Sequence, residues 1–191
     1  MPYSAVAAFM ARLREHDTVS ALALEFIVLT AARGGEALGA RWSEVDLLEA
    51  VWTIPATRMK AGREHRVPLC NRALAILQQL HSARSNDFVF PGRDRGKSIS
   101  PAAVTALMQR TGAGETVHGF RSAFRDWAGN ETHFPREVAE ASLAHVVGNA
   151  AEQAYRRSDA LEKRRALMEA WAAYCEPKEG SSIVTLNRRR A

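Results

Sequence analysis

Val51-Trp52-Thr53-Ile54 and His65-Arg66-Val67-Pro68-Leu69 differ in pattern from everything around them. Both are rich in β-branched or aromatic residues and are joined through a Gly62 turn, so they read as the two strands of an antiparallel hairpin. On either side of the hairpin, apolar residues recur at helical spacing instead. Upstream, Val6, Phe9, Met10 and Leu13 place a helix over Ser4 to Glu15, with Ser4 as its N-cap. Leu22, Leu24, Phe26, Ile27 and Leu29 predict a core helix from about Thr18 to Ala32, and a short helix follows from Glu36. Downstream, Asn71 is expected to cap a helix with Leu74, Ile76, Leu77 and Leu80 on its apolar face. Ser100-Pro101 supplies an N-cap and a proline at the first helical position for the next. Further helices are expected from Gly119 to about Gly129, from Pro135 to about Leu143, from Asn149 through Tyr155, and from Asp159 through Trp171 and Tyr174. The fold class is mainly α with a small antiparallel β-sheet (α+β).

Length and composition fit a single globular domain: 191 residues, 47% hydrophobic and 25% charged. The expected layout is one domain over 1–175 and a flexible basic tail over 176–191 that ends in Arg188-Arg189-Arg190. The apolar stretch Val19 to Ala32 is interrupted by Glu25, and it falls short of the roughly 18 apolar residues that argue for a spanning helix. Met1-Pro2-Tyr3-Ser4 lacks the basic-then-apolar order of a signal peptide. Cys70 and Cys175 stand apart, which excludes a disulfide framework and a Cys-x-x-Cys metal pair. A cytoplasmic protein with no membrane partner is expected. The net charge is +5, and only Lys60, Lys97, Lys163 and Lys178 of the 26 basic residues are lysines. The other 22 are arginines, whose planar fork suits phosphate, so the balance leans towards nucleic acid.

Taken singly, the polar residues that could carry chemistry have ordinary explanations. His118 and Arg121 lie three apart at a helix start, on one face, where free N–H groups favour a phosphate. Arg33 follows an apolar helix, and Glu36 is placed to hold it in one rotamer. Lys60 lies on the hairpin connection, His145 ends a helix, and Tyr155 sits in Gln153-Ala154-Tyr155-Arg156-Arg157.

Their order is more informative. Arg33, Lys60, His118-x-x-Arg121, His145 and Tyr155 resemble the tyrosine recombinase (phage integrase) family, over about Leu22 to Tyr174. Within it the chain is most like satellite-phage and genomic-island integrases. The matching stretches are Leu38-Gly39-Ala40-Arg41-Trp42-Ser43-Glu44-Val45-Asp46, Met59-Lys60, His65-Arg66-Val67-Pro68-Leu69 and Arg164-Arg165-Ala166-Leu167-Met168. The resemblance covers the family's catalytic domain. It implies that the arm-binding and core-binding domains lie outside these residues and that this part alone binds DNA weakly. Gly34-Gly35 replaces the larger residues more usual in the family and implies a looser loop at Arg33.

The resemblance further implies that Tyr155 attacks a scissile DNA phosphate to give a 3′-phosphotyrosine, without cofactor or metal. Arg33 and Arg121 would neutralise the transition state, with His118 and His145 bonding the same phosphate. Lys60 would protonate the departing 5′-oxygen, and Glu36 would orient Arg33. Arg58, Arg63, Arg66 and Arg156 are expected to contact the DNA. The implied partners are double-stranded attachment sites and other integrase protomers in a tetrameric synapse on the nucleoid, the free domain being monomeric. The competing expectations are a truncated integrase that serves only as a DNA-binding module, and a type IB topoisomerase-like activity.

Overall fold

The computed structural model describes residues 1–114, 116–145 and 160–177. The expected Asn149–Tyr155 helix, Tyr155 and Arg156 therefore lie outside the described residues, as does the tail from residue 178. A short 3-10 turn, Tyr3–Ala5, leads into α1 (Val6–Arg14). Ser4 lies inside that turn and caps nothing, so the helix starts two residues later than its sequence predicts. Then come α2 (Val19–Thr30), α3 (Gly34–Leu38), β1 (Val45–Asp46), β2 (Val51–Ile54) and β3 (His65–Pro68). The rest is helical: α4 (Asn71–Ser82), α5 (Pro101–Arg110), α6 (Gly119–Glu131), α7 (Arg136–Ser142) and α8 (Leu161–Cys175).

The hairpin pairs Trp52 with Val67 and Ile54 with His65, and β1 adds a third antiparallel strand by pairing Val45 with Trp52. The order is β1-β2-β3. Helix α2 is the hub: it packs against α1, α3, α4, α5 and α8, and every residue from Ala23 to Thr30 is buried. A helix apolar on all sides must be enclosed on all sides. The Trp171 indole N–H donates to the Val28 carbonyl at 2.8 Å, which ties α8 to this hub. Trp171 also packs against Phe124 and Trp127 of α6.

Glu25, the charge that interrupts the apolar stretch, is 2% exposed on α2. It survives burial because Arg14 and Arg72 both reach its carboxylate, at 2.7 and 2.8 Å. Losing both arginines would leave that buried charge unpaired, a change that costs about 3–5 kcal/mol. Arg14 also grips Glu176 through both terminal nitrogens, at 2.6 and 2.9 Å. Glu176, one residue past the expected end of the domain at 175, is thus held against α1 by an exposed ion pair. The cap of α4 differs as well. Its N-cap is Cys70, and the Asn71 backbone N–H donates to Glu169 of α8 at 3.1 Å. A carboxylate from a distant helix satisfies the end that the Asn71 side chain was expected to cap.

Candidate active site

The site is built at the C-terminal end of α2. The helix ends at Ala31, whose φ of 48° turns the chain left-handed and delivers Arg33 to the N-cap of α3. Glu36, at the third position of α3, accepts the Arg33 backbone N–H at 3.2 Å and its guanidinium at 2.8 Å. This is the reach-back half of a capping box, with the carboxylate also fixing the side chain. Gly34 and Gly35 are the first two residues of α3, so the stretch is helical rather than a loose loop.

Arg58 stands behind this turn. Its guanidinium bonds Glu44 and the Glu36 carbonyl, and a Cβ at Gly39 would lie 3.0 Å from it. Glu44 also accepts from the Trp52 indole at 3.0 Å. Arg58 is therefore half-buried with both terminal nitrogens engaged inside the protein, where it braces the Arg33 turn.

Arg121 comes from the first turn of α6 and is 4% exposed. It donates to the Ala31 carbonyl, to the Leu143 carbonyl at 2.7 Å, and approaches His145 Nε2 at 3.3 Å. It thereby clasps the C-terminal ends of α2 and α7. Burial, and then the neighbouring charge of Arg33, bring it down to about 10, with Glu36 opposing. The Arg33 charge thus disfavours the cation at Arg121, and an anion held by both would relieve that. His118 is the exposed N-cap residue of α6, three residues before Arg121. It borders a cavity of about 620 Å³, mostly apolar, that Gly34, Gly35, Val104 and Met108 also line.

Arg33, Glu36, Arg121 and His145 are brought together. Lys60, Arg63 and Arg66 are exposed on the hairpin and its connection. Tyr155 and Arg156 lie outside the described residues. Among the described residues, no group of three or more His, Cys, Asp or Glu could hold a metal ion, and no helix is long and apolar enough to cross a membrane.

Two residues of the site are not visible as such in the sequence. Glu140, buried on α7, sits 2.6 Å from His145 Nδ1. Burial pushes its carboxyl up, but hydrogen bonds from His145 and Arg125 outweigh that and hold it below the usual range. His65, which begins β3, is bonded to the Ser142 backbone and faces Arg164, Arg121 and Arg33. Burial, followed by the Arg164 charge, pushes its imidazole down to about 4. The ring is thus neutral at pH 7.

This has a consequence for stability. Between pH 6.5 and about 4 the unfolded chain binds a proton at His65 that the folded chain refuses. Stability is complete above pH 6.5 and falls as pH drops through that window, by on the order of 3 kcal/mol for the full shift. Urea titrations between pH 7 and 5, where Glu140 and Glu176 remain ionised, should show the loss. His65→Asn should flatten the slope; an unchanged slope would mean that another group takes up the proton.

The phage integrase family model matches residues 2–162. The prophage integrase IntA of Escherichia coli K12 is 42% identical over 161 residues, which is 82% of this chain and 39% of that protein. The integrase of Shigella phage Sf6 is 33% identical over 165 residues, 84% of this chain and 43% of that protein. The chain thus spans less than half the length of these curated relatives. Among solved structures, the integrase from mycobacterium phage Brujita aligns with a TM-score of 0.68 at 19% identity, over 90% of this chain and 57% of that one. The XerH site-specific recombinase bound to difH substrate, in a pre-cleavage complex, aligns with a TM-score of 0.62 at 16% identity, over 82% of this chain and 52% of that one. At these identities the likeness is one of fold.

Proposed function

The chain belongs to the phage integrase family, and from that premise we propose that it is the strand-cleaving and rejoining part of a site-specific DNA recombinase. The observation that carries the reading is the paired, internally braced Arg33 and Arg121 guanidiniums with His145 beside them. Such preorganised donors stabilise charge that develops in a transition state and need not reorganise when it forms.

In this reading a DNA phosphate sits between Arg33 and Arg121, bonded also by His118 and His145. The Tyr155 oxygen attacks phosphorus and its proton passes to a nearby base, for which His118 is placed at the start of α6. The bond to the 5′-oxygen breaks, and Lys60 supplies that oxygen's proton. The phosphotyrosine retains the bond's free energy, so a second strand's 5′-hydroxyl reverses the step and releases Tyr155. A phenol near pKa 10 is a weak nucleophile at neutral pH, which gives the cationic cluster a second task. Exposed Arg63 and Arg66, with Arg156, hold the DNA backbone, while Arg58 acts through the Arg33 turn. Double-stranded attachment sites are the partners, with further protomers completing a tetramer on DNA and the free domain monomeric.

The test is a duplex nicked just beyond the scissile phosphate, so that the departing fragment diffuses away and the covalent complex accumulates. Adduct formation is expected with this chain and needs no added metal. DNA binding without adduct under any condition would favour the DNA-binding module. Relaxation of supercoiled DNA that always rejoins the same strand would favour the topoisomerase-like reading.

A further inference from the structure

We propose that Glu140 is the positioning residue that fixes the tautomer of His145, and so holds the ring with its bare Nε2 against Arg121 at the phosphate site. Its catalytic meaning rests on the recombinase reading; its geometry does not.

Glu140 holds His145 twice. Through its backbone, the Glu140 carbonyl accepts the His145 N–H at 2.9 Å while Ala141 accepts the Ala144 N–H at 3.1 Å. That pair of bonds, with Ala144 at φ 52°, is a Schellman end to α7. A left-handed alanine costs about 1–2 kcal/mol, so the surrounding contacts must impose the turn. Through its side chain, Oε2 lies 2.6 Å from His145 Nδ1, and Oε1 lies 2.6 Å from Arg125 Nε and 3.8 Å from Arg136 Nε.

The tautomer follows from which groups can donate. An ionised carboxylate only accepts, so Nδ1 carries the hydrogen. On the other edge, Nε2 faces an Arg121 terminal nitrogen at 3.3 Å, and a guanidinium only donates. Nε2 is therefore the unprotonated nitrogen in the free protein. With a phosphate beside Arg121, the Nε2 edge of the ring faces it while the Glu140 carboxylate holds the opposite edge. Without Glu140 the ring is free to adopt the opposite tautomer, as in hydrolases whose carboxylate–histidine pair is broken.

Glu140→Gln tests this at constant shape. Arg125 demands an acceptor at Oε1, so the new amide must present its nitrogen to Nδ1 and donate there. His145 should switch to the Nε2–H tautomer, read from nitrogen-15 correlations of the imidazole in the DNA-free protein. Nε2–H then faces an Arg121 N–H, donor against donor, which pushes ring and guanidinium apart, so single-turnover cleavage of the nicked duplex should fall roughly 10- to 100-fold, as misaimed groups commonly cost, with DNA affinity unchanged. The double variant Glu140→Gln with Arg125→Ala frees the amide to turn its oxygen to Nδ1, and should restore both the tautomer and most of the rate. A merely structural Glu140 predicts no such rescue. His145 remaining Nδ1–H in Glu140→Gln, or switching with no loss of cleavage, would overturn the proposal. A wild-type chain that shows the stated tautomer but never cleaves would overturn the recombinase reading and leave the geometry standing.

Discussion

Tyr155→Phe is expected to abolish the covalent protein–DNA adduct while leaving DNA affinity nearly unchanged. The change removes one oxygen and keeps the ring, so whatever the side chain packs against is preserved. The chain has three tyrosines, and the other two are poor substitutes. The Tyr3 hydroxyl donates to Glu131 at 2.9 Å, a bond that raises its pKa. The Tyr174 ring is stacked on Trp171 and packed against Trp127, and burial, then the Glu131 charge, raises its pKa too. Both shifts disfavour the phenolate, the form that attacks phosphorus. Peptide mapping of the adduct would identify the attached residue directly. An adduct that persists in Tyr155→Phe would place the nucleophile elsewhere, and the reading of the Arg33–Arg121 pair would have to change with it.

The parts of the fold visible in the sequence are those set by local pattern. The β2–β3 hairpin announced itself because Val51-Trp52-Thr53-Ile54 and His65-Arg66-Val67 interrupt a helical period, and α2 because its apolar residues are too dense for a surface helix. What escaped depends on distant chain. Strand β1 is two residues long and has no period to detect. The cap of α4 is supplied by Glu169, 98 residues away. Arg58 looks like any basic residue beside a hairpin until Glu44 and the Glu36 carbonyl are seen to enclose it.

The site divides the same way. Arg33 with Glu36, and His118 with Arg121, are spaced three apart, so a helix start alone joins each pair. Glu140 and His145 are five apart, which is no helical neighbour spacing. They meet only because α7 ends in a left-handed turn at Ala144, a residue type that gives no sign of one. His65 counts as part of the site only once β3, α7 and α8 are packed around it.

Arg121→Lys is expected to impair both cleavage and stability although the charge is kept. A lysine ammonium is a compact point charge, whereas the guanidinium spreads its donors over a rigid plane. Here the spread is in use: one terminal nitrogen bonds the Ala31 carbonyl, and the other bonds the Leu143 carbonyl and faces His145. An ammonium cannot reach carbonyls at the ends of two helices and still present a donor to a phosphate. At least one buried carbonyl then loses its partner, which costs about 1–3 kcal/mol of stability. The ends of α2 and α7 are no longer clasped, and these deliver Arg33 and His145. In the chemical step the loss should approach that of an oxyanion-hole donor, about 2.7–4 kcal/mol or roughly 100- to 1,000-fold in rate. Arg33→Lys separates the two effects. Arg33 is 30% exposed and its guanidinium is tied to Glu36, an acceptor that an ammonium can also satisfy. It should lose cleavage with little loss of stability. Urea titration together with single-turnover cleavage distinguishes the cases. Undiminished cleavage by Arg121→Lys would mean that charge alone suffices at the centre of the site, and that the clasp on Ala31 and Leu143 serves the fold and not the phosphate.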